Sequence, residues 1–138
     1  MIIEKKYHFY AAHRNKNADE KCARIHGHTY FIKCYFDFSN IGINPVSGVT
    51  MLFSNIDKLV EPLIKSYCHY LLLYEKDTLC QVLELENEPF IKLPFETSAE
   101  NLALWLFIQI KNETQLPIVK IELRETLSSK VIYEIKSK

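Results

Sequence analysis

No segment of the sequence approaches the ~20 consecutive apolar residues of a membrane-spanning helix. The first ten residues, MIIEKKYHFY, lack the long apolar core of a secretion signal. Both absences lead to the expectation of a cytoplasmic protein. Net charge is missing too, because 17 Lys and Arg balance 17 Asp and Glu. That balance leaves no electrostatic footprint for nucleic acid or a membrane surface, and neither is expected as a partner. The four cysteines, Cys22, Cys34, Cys68 and Cys80, stand 12, 34 and 12 residues apart, so the paired cysteines of a zinc knuckle are absent. Without a secretion signal an even count does not argue for disulfides, and Cys34 and Cys80 read as small buried apolar residues. No repeat and no low-complexity linker divides the chain.

What is present is one domain's worth of chain, residues 1–138, 48% of it hydrophobic, which argues against disorder. Residues 2–13 read as a strand, with Ile3, Tyr7, Phe9, Ala11 and His13 on one side by the two-residue period. Residues 14–25 are polar and form a loop. Residues 26–38 read as a second strand, with His26, His28, Tyr30, Ile32, Cys34, Phe36 and Phe38 sharing a side. Residues 40–48 are turn chemistry, and Val49–Phe53 reads as a short strand. Ser54 and Asp57 then give a capping signal for a helix through Ile56, Leu59, Val60, Leu63 and Ile64, in which Pro62 should cause a kink. Residues 70–94 are ambiguous; Val82–Leu85 and Phe90–Leu93 read as short strands. A second helix runs from near Ser98 to about Lys111, and residues 117–125 and 130–136 close the chain as paired strands. Grouped strands with two helices predict an α+β fold, a four-stranded antiparallel sheet with both helices on one face. Its exposed edges favour assembly of copies into a homo-oligomer.

The chemistry concentrates in CARIHGH, residues 22–28. A His-x-His pair on a strand projects both imidazoles to one face, about 6.5–7 Å apart along it. If strands 2–13 and 26–38 form a hairpin, His13 lies beside His26 and His28. Three imidazoles suit zinc with a fourth position open, the pattern of a catalytic site. His-x-His alone carries little weight; His13 at the opposite hairpin end strengthens it. His8 faces away from His13 and reads as exposed. Cys22, four residues before His26, is open to two readings. It is a thiolate acting as base or nucleophile beside a cation, or a fourth ligand closing a structural site.

These residues resemble the 6-pyruvoyltetrahydropterin synthase and 6-carboxytetrahydropterin synthase family over nearly the whole chain. The matching stretches are FYAAHR (9–14), CARIHGH (22–28), GVTMLFSNIDKLV (48–60), TSAENLALWL (97–106) and ELRET (122–126). The resemblance implies a tunnelling fold assembled into rings, usually hexamers, with active sites between subunits. It implies zinc on His13, His26 and His28, and Cys22 as general base working with an Asp-His pair from the end of the first helix. It also implies that Glu125 anchors a pterin ring, since a carboxylate can accept two parallel N–H bonds from a 2-amino-pyrimidinone. The implied substrate is 7,8-dihydroneopterin triphosphate, with loss of triphosphate to a 6-pyruvoyl or a 6-carboxy product, the latter on the queuosine route. The short loop between His13 and Cys22 is closer to the carboxy-producing bacterial members. Ser98 keeps a hydroxyl at the helix start, and Arg14 and Arg24 are candidates for the triphosphate or plain loop arginines.

The sequence departs from the family pattern in three places. Cys68 stands at the position of the family's Asp, before His69, and a thiol orients an imidazole poorly. Leu52 precedes Phe53 where the family has Asp. Thr97-Ser98 replaces Pro-Thr. A slower enzyme using Cys22 and His69, a different pterin reaction, and a pterin-binding oligomer without turnover all remain open, and Asp57 or Asp77 could supply the missing acid only if the fold brings one close.

Overall fold

The computed structural model describes residues 1–136. Two long strands, β1 (Ile2–His13) and β2 (His26–Asp37), form an antiparallel hairpin in continuous register from Ile2 opposite Asp37 to His13 opposite His26. Their alternation holds as read. Tyr7, Phe9, Ala11 and His13 of β1 are buried, as are Tyr30, Ile32, Cys34 and Phe36 of β2. His8 lies on the other face, half-buried between Tyr10 and Phe31 rather than exposed.

The chain then makes α1 (Phe53–Lys65), β3 (Tyr70–Tyr74), α2 (Leu79–Leu85), β4 (Ile91–Leu93), α3 (Ala99–Thr114), β5 (Ile118–Arg124) and β6 (Val131–Glu134). Among the described residues the sheet has six strands in the order β4-β3-β1-β2-β5-β6. The β1–β2, β2–β5 and β5–β6 pairs are antiparallel, whereas β1–β3 and β3–β4 are parallel. The four expected antiparallel strands thus form the middle and one wing, and a parallel wing of two strands is added. Helices α1 and α3 pack side by side on the apolar sheet face, α1 over β1 and α3 over β5 and β6.

Three local readings change, and Pro62 lies inside α1 as expected. Val49–Phe53 is not a strand; it is a bend that enters α1 at Phe53. The helix begins after Leu52 with no side-chain cap. Asp57, expected to help cap it, accepts hydrogen bonds from Lys5 Nζ and Tyr7 Oη of β1, each at 2.9 Å. Helix α1 continues through Pro62 to Lys65. Pro62 lies on the exposed side, where water can reach the carbonyl that a proline leaves without its N–H partner. Val82–Leu85 is the end of α2, not a strand. Only Cys80 of that helix is buried, and Val82 and Leu85 are exposed, so no apolar stripe marks it as helical.

Strand β3 was hidden for the opposite reason. Leu72 and Leu73 are both fully buried, one on each sheet face, as parallel strands covered on both sides require. Such a run shows no alternation. Helix α3 follows its expectation closely: Ser98 caps it, its side chain accepting the Asn101 N–H at 3.2 Å, and Gln115 ends it in the left-handed conformation at φ 58°.

Candidate metal centre and its cleft

The hairpin register sets His13 opposite His26, with His28 one full strand period further along β2 on the same face. The ring centroids form a near-equilateral triangle, with sides of 4.6, 5.1 and 4.9 Å, and one nitrogen of each ring lies within 4.8 Å of the others. Two rings are fixed from behind. His13 Nδ1 meets the Thr97 carbonyl at 2.6 Å, and His26 Nδ1 meets the Arg24 carbonyl at 2.7 Å. A carbonyl only accepts, so Nδ1 carries the proton in both, and each Nε2 presents a lone pair. Those two Nε2 atoms stand 3.1 Å apart. Two lone pairs facing each other repel, and a shared cation removes the conflict. Rings oriented by main-chain carbonyls with free Nε2 atoms converging are what a metal ligand set needs.

Electrostatics agrees with neutral ligands. Burial drives the His13 pKa from 6.5 down to about 4, against the Thr97 hydrogen bond and helped by the other two histidines. His28 is lowered as well, by burial and by His26, against a hydrogen bond to the Glu125 main chain. The Thr97 hydroxyl, fully buried, donates to the Arg14 carbonyl at 3.1 Å and lies 3.2 Å from His13 Nδ1.

The triad opens into a cleft of about 570 Å³, the size of a small-molecule site. Cys22, Ser98, Glu100, Glu125 and Lys130 share its lining. Glu125 brings Oε1 to 3.9 Å from His13 Nε2, and burial foremost, then the charge of Glu100, raises its pKa. The Cys22 thiol is also raised, first by its hydrogen bond to the Asp19 carboxylate. The Asp19 carboxylate accepts the Cys22 N–H at 2.8 Å as well. Without a cation Cys22 is therefore held as a thiol.

Other expected residues fall elsewhere. The Arg14 guanidinium makes a two-pronged pair with Asp77, Nε at 2.8 Å and Nη2 at 2.5 Å, and does not line the cleft. Arg24 pairs with Glu20 at the surface. His69 lines a different cleft, of about 620 Å³, on the reverse face of the sheet, where its ring stacks on Tyr10. Its backbone is left-handed, φ 65°, held by the His69 N–H donating to the Tyr10 carbonyl at 2.7 Å. Cys68 packs half-buried against the core and lines neither cleft. Neither Asp57 nor Asp77 supplies the missing acid, since each is engaged by other cations. The reading from sequence missed Asp19, Glu100 and Lys130; of these only Asp19 carried a local signal, a turn-forming Asp three residues before Cys22.

Comparison with known proteins follows the same lines. A family model described as 6-pyruvoyl tetrahydropterin synthase matches residues 2–136. The 6-carboxy-5,6,7,8-tetrahydropterin synthase of Haemophilus influenzae is 27% identical over 137 residues, covering 96% of this chain and 97% of the relative. The enzyme of the same name from a Synechocystis species is 28% identical over 134 residues, covering 96% and 92%. The solved structure of Caenorhabditis elegans 6-pyruvoyl tetrahydropterin synthase superposes with a TM-score of 0.70 at 22% identity, covering 99% of this chain and 96% of that one. That likeness establishes the fold, the tunnelling fold implied by the sequence motifs. No helix among the described residues is long and apolar enough to cross a membrane.

Proposed function

The chain belongs to the 6-pyruvoyl tetrahydropterin synthase family, and on that premise we propose that it is a zinc-dependent lyase that takes 7,8-dihydroneopterin triphosphate and releases triphosphate. The observation that carries this reading is one cleft holding three converging imidazoles, a thiol and a carboxylate: His13, His26, His28, Cys22 and Glu125. Both curated relatives named above favour the 6-carboxy product.

The Nε2 atoms of His13 and His26 and a ring nitrogen of His28 are the ligands we assign to zinc, which when bound supplies a Lewis acid for the hydroxyls of the substrate side chain. Glu125 takes paired N–H bonds from the pterin edge, as carboxylates do from guanidinium groups. Cys22 accepts a proton from the side-chain carbon. For that it must first lose its own proton, and the Asp19 carboxylate already bonded to the thiol is the nearest acceptor. Ser98, committed to capping α3, lines the cleft and keeps its O–H free to donate to substrate.

His69 and Cys22 line separate clefts of the same chain. Joint action therefore requires the His69 face of one subunit to meet the Cys22 cleft of another, which supports a homo-oligomer, a hexamer by family resemblance. Four unpaired cysteines among the described residues suit a cytoplasmic setting. A pterin-binding oligomer without turnover is the second reading, favoured by Cys68 at the position of the family's acid.

The test is turnover of zinc-loaded protein with 7,8-dihydroneopterin triphosphate, products identified by mass, with Cys22→Ala as control. Triphosphate release that disappears in the variant is the expected result, and the pterin mass selects the product. Pterin binding with no release would establish the second reading instead.

A further inference from the structure

Among the described residues, two buried side-chain polar atoms lack a partner in good hydrogen-bond geometry: Tyr30 Oη and Glu125 Oε1. Buried polar groups are rarely left so, because an unmade bond costs the full desolvation of the group. Both orphans occur at the same place. Strands β2 and β5 pair with Phe31 opposite Arg124, and one step further along that register sets Tyr30 opposite Glu125. The Tyr30 ring stacks on Phe9 at 4.7 Å and meets His13 and His28 edge-on at 6.0 and 5.5 Å. Glu125 Oε1 lies 3.9 Å from His13 Nε2. One orphan is a donor and the other an acceptor. The two side chains are near enough to act on each other: burial foremost, then the Glu125 charge and its hydrogen-bonding to the phenol, raise the Tyr30 pKa, while the phenol acts to lower that of Glu125.

Packing does not account for the phenol oxygen. Phenylalanine would fill the same slot against Phe9 and leave no orphan. We propose that Tyr30 is a positioning residue: its O–H donates to the Glu125 carboxylate and fixes the orientation in which the remaining carboxylate edge meets a pterin. The role of Glu125 as ring anchor rests on the function proposed above; the Tyr30–Glu125 bond does not. Strand β2 then carries two parts of the site two residues apart on one face, His28 toward the metal and Tyr30 toward the anchor.

Tyr30→Phe, Glu125→Ala and the double variant, as full chains, test this. Neopterin is the probe, with binding followed by its fluorescence on zinc-loaded protein. Losing a hydrogen bond to a charged group is worth about tenfold or more in affinity. We expect Tyr30→Phe to raise the neopterin Kd by about that factor, to raise KM with little change in kcat, and to leave zinc content unchanged. In the Glu125→Ala background Tyr30→Phe should change nothing further. Wild-type affinity in Tyr30→Phe, or an equal loss with and without Glu125, overturns the proposal. If the wild type does not bind neopterin, the pterin reading of the cleft fails, and melting midpoints at one protein concentration decide the contact. A double variant that loses less than the sum of the single losses supports the bond, and additive losses overturn it.

Discussion

Acidification of the metal-free protein isolates the central histidine. His13 is 5% exposed, and burial takes its pKa from 6.5 to about 4. The folded value lies below the unfolded one, so between those limits the unfolded chain binds more protons. Stability is therefore intact above about 6.5 and is lost as the pH falls toward 4. At about 1.4 kcal/mol for each pH step, the window is worth ~3 kcal/mol. That is a substantial part of the ~5–15 kcal/mol that holds a domain folded. Urea midpoints of chelator-treated protein from about pH 8 to pH 4, compared with His13→Gln, read it directly. The wild type should lose up to ~3 kcal/mol more than the variant across this window. Against burial, hydrogen bonds from Lys130, Tyr35 and Lys120 hold Glu122 at about 2. Its contribution is lost as the pH falls from about 4.5 to about 2, mostly below this window, and it cancels in the comparison. Parallel decline of the two proteins would refute the assignment of His13 as a buried neutral imidazole.

Two further outcomes follow from the site and its surroundings. Zinc at about one hundred times its Kd should stabilise the chelator-treated protein by ~2.7 kcal/mol, seen as a rise in melting midpoint, and His26→Ala or His28→Ala should abolish that rise; a midpoint unmoved by zinc in the wild type would exclude the metal reading. Arg14→Ala should cost about 3–5 kcal/mol in urea unfolding, because it strands the Asp77 carboxylate, 5% exposed, without its cation, yet it should leave zinc binding intact; a variant of ordinary stability with impaired triphosphate release would return Arg14 to the substrate.

The antiparallel half of the molecule was legible because its signals are local. Alternation along residues 2–13 and 26–38 names the buried face, and a two-residue period commits His26 and His28 to one side. Ser98 before an apolar helical run marked the start of α3. The parallel wing was not legible. A strand buried on both faces, such as Tyr70–Tyr74, has no period, and the seven-residue α2 exposes its apolar side chains. The Ser54–Asp57 capping signal failed because Lys5 and Tyr7, about fifty residues away, offered Asp57 better partners.

The candidate site divides in the same way. Residue type and spacing by themselves pointed to His13, His26 and His28 as converging imidazoles with Cys22 close by, and the family resemblance added Glu125. Only the tertiary structure decided what each faces. It turned Arg14 to Asp77, set Asp19 against Cys22, and sent His69 to the reverse side of the sheet from the triad. It also brought Tyr30 and Glu125 to the same end of the β2–β5 pairing. The reason is one of range. Strand and helix periods act over a few residues and can be read from the order of side chains, whereas these partnerships depend on where separate strands come to lie, which no stretch of a few residues encodes.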